Sequence, residues 1–211
     1  MTRLVIMDCD GVLVDSEAIA NRVMAHHITR AGWPMTGPES EALFKGATMT
    51  QVISRVERTL GRRLTPVWME RFETDCFSAF MDELLPVDGV IDLIRRIHRA
   101  GVLTCVASQG PRKKMDVTLT AAGLIDMMGG HLFSAAEIGR PKPAPDIFLH
   151  AAMRMSIPPS QCLVIEDSVT GVKAALAAGM KVIGYDAAKT GDLAIDPRVK
   201  IIHHMSDIKQ I

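Results

Sequence analysis

Two hydrophobic patterns divide the chain. Residues 4–8, 103–108 and 162–167 are near-continuous apolar runs, not alternating ones. Continuous runs of that length suit strands of a parallel sheet covered by helices on both faces. Residues 181–185 form a fourth run and 199–203 a candidate fifth. Helical stretches separate most of them. The stretches at 90–100, 112–122 and 169–178 are followed by Gly101, Gly123 and Gly179, where a C′ glycine closes a helix. Repeated strand–helix units predict an α/β core, a doubly wound parallel sheet of the Rossmann-like kind with right-handed crossovers.

Residues 16–85 break this rhythm. They offer no convincing strand and read as helices near 16–31, 38–45, 48–60 and 65–84, punctuated by Pro34, Gly37 and the 61–66 region. The expected organisation is a core of residues 1–15 and 86–211, with 16–85 as a helical cap inserted after the first strand. Open α/β sheets bind ligands at the carboxyl ends of their strands, and an insertion leaving one of those ends is expected to cover that place.

Charge narrows the partners. Lys plus Arg and Asp plus Glu both number 24, so bulk electrostatics favours neither nucleic acid nor an anionic membrane. No apolar stretch approaches the roughly 18 residues of a membrane span. The opening MTRLVIMDCD lacks the pattern of a signal peptide. Cys9, Cys76, Cys105 and Cys162 are widely spaced, which suits reduced core thiols better than a disulfide framework or zinc site. A cytoplasmic setting, a small-molecule partner and a monomer or weak dimer are expected.

The candidate chemistry lies where the strands end. The first run ends in Asp8-Cys9-Asp10-Gly11, the second in Ser108-Gln109-Gly110, and a later one in Glu166-Asp167; Lys142 sits in the proline-rich loop GRPKPAP. The sheet would gather these loops at one edge. Adjacent carboxylates repel unless a cation lies between them. Asp8, Asp167 and Glu166 are hard oxygen ligands suited to Mg²⁺. Ser108 can donate to a phosphoryl oxygen, Lys142 supplies a compact positive charge, and a carboxylate can attack phosphorus. Phosphoryl transfer needs mainly positioning and charge neutralisation, which this set provides.

DCDGVLVDSE, VASQG, RPKPAPDIF and VIEDSVTG, in that order, resemble the four motifs of the haloacid dehalogenase superfamily of phosphotransferases. The resemblance spans nearly the whole chain. It implies Asp8 as nucleophile and Asp10 as general acid and base. It implies Ser108 and Lys142 as phosphate binders, and Mg²⁺ held by Asp8, Asp167, the backbone carbonyl of Asp10 and Glu166. Asp10 favours phosphate-ester chemistry, because the dehalogenases of the family lack an aspartate there. The stretch Phe44-Lys45-Gly46 resembles the cap loop of sugar-phosphate phosphatases and β-phosphoglucomutases, which implies a substrate contact at Lys45 and Gly46. The combination of CDGVLVDSE, residues 108–115 and LFSAAEIGRPKP looks most like bacterial phosphatases acting on 6-phosphogluconate.

Other readings stay open. A mutase would carry a histidine early in the first cap helix and an arginine after the Lys-Gly. Here Ala18-Ile19-Ala20-Asn21 and Ala47-Thr48-Met49-Thr50 supply neither. A non-catalytic sugar-phosphate sensor would not need the Asp8/Asp10 pair. A cap lysine is also what phosphonatases of the superfamily use as a Schiff base, so Lys45 keeps that reading in play. It can equally be a surface lysine, and Gln109 a turn residue or a substrate-loop contact. Ser16 is a candidate helix cap. Arg112, Lys113 and Lys114 open a helix, where cations oppose the dipole. They are either anion binders or a solvated face. Arg140 either orients the lysine loop or pairs with a carboxylate.

Overall fold

The computed structural model describes residues 1–45 and 47–211; Gly46 lies outside the described residues. The chain forms two compact units, residues 1–15 with 85–211, and residues 16–84. The first is built on a parallel sheet of β1 (Leu4–Met7), β2 (Leu103–Ser108), β3 (Leu132–Ser134), β4 (Cys162–Glu166), β5 (Lys181–Tyr185) and β6 (Val199–Ile202). The spatial order is β3-β2-β1-β4-β5-β6, every neighbour parallel. The order reverses between β1 and β4, which opens a crevice beyond their carboxyl ends.

All four residues of β1 are fully buried, so both faces of the central strand are covered. Leu4 and Ile6 join Cys105, Ala107, Cys162 and Val164 in a core with Phe148 and Ala151 of α8 (Asp146–Arg154) and Val172 and Ala175 of α9 (Val169–Ala177). Burying a side chain such as Leu4 or Ile6 is worth about 1.5–3 kcal/mol. The helices α5 (Val90–Arg99) and α6 (Arg112–Ala121) pack on β2 and β3 respectively. Gly101, Gly123 and Gly179 follow the helix ends with positive φ, as the pattern predicts. All four cysteines are buried free thiols.

The strand β3 is an addition to the sequence reading. It is three residues long and one of its side chains is half-buried, too short to register as an apolar run. A short helix, α7 (Ala135–Ile138), follows it directly.

The second unit is helical: α1 (Glu17–Ala31), α2 (Gly37–Phe44), α3 (Met49–Leu60) and α4 (Pro66–Glu83). Thr36 with Glu39 and Thr48 with Gln51 form capping boxes, and Thr65 caps α4. Each such side-chain cap is worth about 1 kcal/mol. Ile28, Phe44, Val56, Phe72 and Phe80 are the buried apolar centre. His27 packs edge-on against Trp68 and Phe72 and bonds Asp75 at 2.8 Å, a structural role. Ser16 occupies the N-cap position of α1, but its hydroxyl does not cap it; its backbone is in the helical region. A capping side chain needs an extended N-cap backbone.

Among the described residues no helix is long and apolar enough to cross a membrane.

Candidate active site

The site assembles from the carboxyl ends of β1, β2 and β4. The Asp8 backbone N–H donates to the Ile165 carbonyl at 3.0 Å, so it prolongs the β1–β4 ladder by one residue. The chain then turns tightly. The Cys9 carbonyl accepts from the N–H groups of Leu13 and Val14, and the Gly11 N–H donates to the Val14 carbonyl at 2.7 Å. Gly11 has φ of +82°, and a Cβ there would lie 1.8 Å from an Asp167 carboxylate oxygen. Only glycine permits both the turn and that approach.

Lys142 is the hub. The residue is 6% exposed, and its ammonium donates to Asp8 Oδ1 at 2.6 Å, to Glu166 Oε1, and to the Ala107 carbonyl at 3.1 Å. It also sits 5.0 Å from the centroid of the fully buried Phe148 ring. Burial alone would strip its proton, but the Asp8 and Glu166 carboxylates outweigh that and hold Lys142 above its ordinary value. Glu166 is 1% exposed. Its second oxygen accepts from both the N–H and the hydroxyl of Ser168 at 2.9 Å. The Ser168 hydroxyl in turn accepts the Gly171 N–H and caps α9.

The remaining carboxylates are under electrostatic load. Burial pushes Asp8 up to about 7, against the pull of Lys142 and with added repulsion from Glu166. Burial, Asp8 and Glu166 push Asp167 up to about 8.

These groups fit a hard divalent cation. Asp8 and Asp167 are hard oxygen donors within reach of one another's charge; burial first, then carboxylate repulsion, raises both, and a cation would relieve the repulsion. Among the described residues no three His, Cys, Asp or Glu side chains make a ready cage. Mg²⁺ is held by one or two carboxylates together with substrate phosphate and water. Glu166 bonds Lys142 through one oxygen and Ser168 through the other, which orients the lysine and leaves a lone pair for the ion it is expected to help hold.

Ser108 ends β2, 3% exposed, and its oxygen accepts the Gly110 N–H at 3.1 Å. Its own hydroxyl proton can therefore be aimed at an oxyanion. Gln109 beside it is exposed. Lys45 is exposed at the end of α2 in the helical unit.

Some residues were not foreseen in these roles. Lys114 donates to both oxygens of Asp10, at 2.9 and 2.8 Å. Ser134, at the end of the unforeseen β3, donates to the Gly110 carbonyl at 2.7 Å and braces the Ser108 loop. Arg112 pairs with Asp116 and donates to the Leu132 carbonyl. Of the two readings offered for Arg140, the structure shows the pair with a carboxylate, Asp146 at 3.2 Å.

A protein-family model for haloacid dehalogenase-like hydrolases matches residues 2–179. The chain is a haloacid dehalogenase-like hydrolase. It is 29% identical over 208 residues to 6-phosphogluconate phosphatase of Escherichia coli, covering 98% of this chain and 93% of that protein. Among solved structures it resembles a haloacid dehalogenase-like protein of unknown function from Agrobacterium tumefaciens, with 33% identity and a TM-score of 0.78 over 99% of this chain and 96% of the other. A hydrolase of the family from Deinococcus radiodurans, solved with bound phosphate and sodium, is 28% identical with a TM-score of 0.78, covering 99% and 93%.

Proposed function

We propose that this hydrolase is a Mg²⁺-dependent phosphatase of a small phosphorylated metabolite, a sugar or sugar-acid phosphate such as 6-phosphogluconate. The observation that carries the reading is Asp8 in contact with a buried, protonated Lys142, with Asp10 two residues on. The substrate class rests on the 6-phosphogluconate phosphatase relative and on the motif resemblance.

In the proposed reaction Lys142 and the Ser108 hydroxyl bind the phosphoryl oxygens. An Asp8 carboxylate oxygen attacks phosphorus and the ester P–O bond breaks. The departing alkoxide takes the proton of Asp10. Water then gives its proton to the Asp10 carboxylate and attacks the same phosphorus. The P–O bond to Asp8 breaks, and inorganic phosphate and the Asp8 carboxylate are restored. Bound by Asp8, Asp167, Glu166 and the Asp10 backbone carbonyl, Mg²⁺ would supply charge neutralisation for the phosphoryl group. Glu166 keeps the Lys142 ammonium aimed at Asp8. Lys45, with Gly46, is assigned to substrate contact on the strength of the sequence resemblance alone. Buried free thiols suit the reducing cytoplasm, and a monomer or weak dimer is the expected state.

The test is phosphate release with Mg²⁺ across 6-phosphogluconate, glucose 1- and 6-phosphate, phosphoglycolate and phosphonoacetaldehyde. Preference for a sugar or sugar-acid phosphate supports the reading. Interconversion of glucose 1- and 6-phosphate without net release overturns it in favour of a mutase.

A further inference from the structure

The first turn of α6 carries a residue that the reaction above does not use. Lys114 reaches Asp10 and donates to Oδ1 at 2.9 Å and Oδ2 at 2.8 Å. The pair is partly sheltered, with side-chain exposures of 28% and 25%. A single contact would leave the carboxylate free to rotate about its last bond. An ammonium shared by both oxygens fixes the plane of the group. With both oxygens engaged, the carboxylate is held in one orientation, ready to face the water of the second step.

The surroundings tie this pair to the phosphate loop. A Cβ placed on Gly110 would lie 3.5 Å from Ser108 Oγ, 3.8 Å from Lys114 Cδ and 3.9 Å from Asp10 Oδ2. The phosphate-binding hydroxyl, the acid/base and its lysine therefore converge on one spot. The spacing explains the connection: Lys114 lies six positions after Ser108, enough to leave β2, turn at Gly110-Pro111 and enter the first turn of α6.

We propose that Lys114 is a positioning residue for Asp10, holding its carboxylate in the orientation that deprotonates water for hydrolysis of the aspartyl-phosphate. This rests on the phosphatase reading. It predicts a selective defect in the second step, whereas a lysine that bound substrate, or merely supported the fold, would damage the first.

The experiment compares wild type, Lys114→Gln and Lys114→Arg with Mg²⁺ and p-nitrophenyl phosphate, whose leaving group departs without a proton. Thermal melts confirm that each variant is folded. For Lys114→Gln the steady-state kcat is expected to fall about tenfold or more, part of the usual contribution of a positioned acid/base. KM should fall in parallel, leaving kcat/KM within about threefold. A rapid burst of p-nitrophenol near one equivalent per chain should precede slow turnover, with phosphorylated chain visible by intact mass. Lys114→Arg should recover part of kcat and shrink the burst. A loss of kcat/KM without a burst, or wild-type kinetics in Lys114→Gln, overturns the inference while leaving the phosphatase reading intact. A wild-type protein that releases no phosphate from any ester overturns both.

Discussion

Gly171 tests how far the lysine hub depends on packing away from the chemistry. It lies in the first turn of α9 and touches no proposed reacting atom. A Cβ built there would lie 1.8 Å from Glu166 Oε1 and 1.9 Å from its carboxyl carbon. Two effects compete in Gly171→Ala. Helix propensity favours alanine by about 0.8–1.0 kcal/mol in a helix interior, and by less in a first turn. Overpacking a buried site costs about 1–3 kcal/mol. Here the clash falls on a carboxylate 1% exposed and bonded to Lys142, so relief means moving a buried ion pair. Breaking such a pair outright costs about 3–5 kcal/mol, so partial displacement adds to the overpacking term and the steric effect wins.

Net destabilisation should be about 2 kcal/mol, a fall in melting temperature of about 4–8 °C for a chain of this size. Activity should fall further than stability, because a displaced Glu166 lets Lys142 drift from Asp8. A misplacement of about 1 Å can cost on the order of 100-fold in rate. The assay is a melt by circular dichroism beside kcat for phosphate release. Adding Glu166→Asp to Gly171→Ala withdraws the carboxyl by one methylene, and should recover part of the lost melting temperature. A Gly171→Ala protein that melts higher than wild type with unchanged kcat would show that propensity wins, and would refute the steric argument.

Asp10→Asn should lower kcat for an alkyl phosphate by about 10²–10⁴, read as phosphate release, with unchanged hydrolysis counting against the scheme. Asp8 and Asp167 give a pH prediction. Their folded-state values, about 7 and about 8, lie above the ordinary 3.8, so the stability they contribute is complete below about pH 4 and is lost as pH rises through 7–8. Lys142, raised above an already high value, keeps its proton across that window. Metal-free protein should therefore melt lower at pH 8.5 than at pH 5.5, and Mg²⁺ should raise the melting temperature more at pH 8.5; equal Mg²⁺ shifts would place the ion elsewhere. Lys45→Ala should raise KM for the preferred substrate several-fold with kcat nearly kept, and an unchanged KM would return Lys45 to a surface role.

Legibility in the sequence followed chain locality. Strands β1, β2, β4, β5 and β6 were visible because burial on both faces leaves an uninterrupted apolar run. The strand β3 was not, since Leu132-Phe133-Ser134 is too short to stand out and Phe133 is only partly buried. Asp8, Ser108, Lys142 and Asp167 were readable from motifs at strand ends. The partner of Lys114 was not: 104 residues separate it from Asp10, and in sequence it is the last of three cations opening a helix. The bonds of Glu166 were not readable for a related reason. Its type fits a metal ligand, and only the tertiary approach of Lys142 and the cap at Ser168 reveal these further partners.

Adjacent carboxylates after the first strand posed a question of charge, and the structure answers half of it. Asp8 and Glu166 bond a single buried ammonium, and Asp167 lies within reach of their charge. Fully ionised, that group carries three negative charges against one positive. Lys142 therefore does not balance the site, and burial, with carboxylate repulsion added to it, raises Asp8 and Asp167. A phosphate monoester, with its second ionisation near pH 6, brings about two further negative charges at neutral pH. Lys142 and the Ser108 hydroxyl alone would be asked to hold a dianion beside carboxylates that repel it. A divalent cation removes both objections together, since it neutralises Asp8 and Asp167 and offsets the phosphate. Glu166, bonded to the same ammonium, fixes the lysine that would meet the phosphate beside that ion.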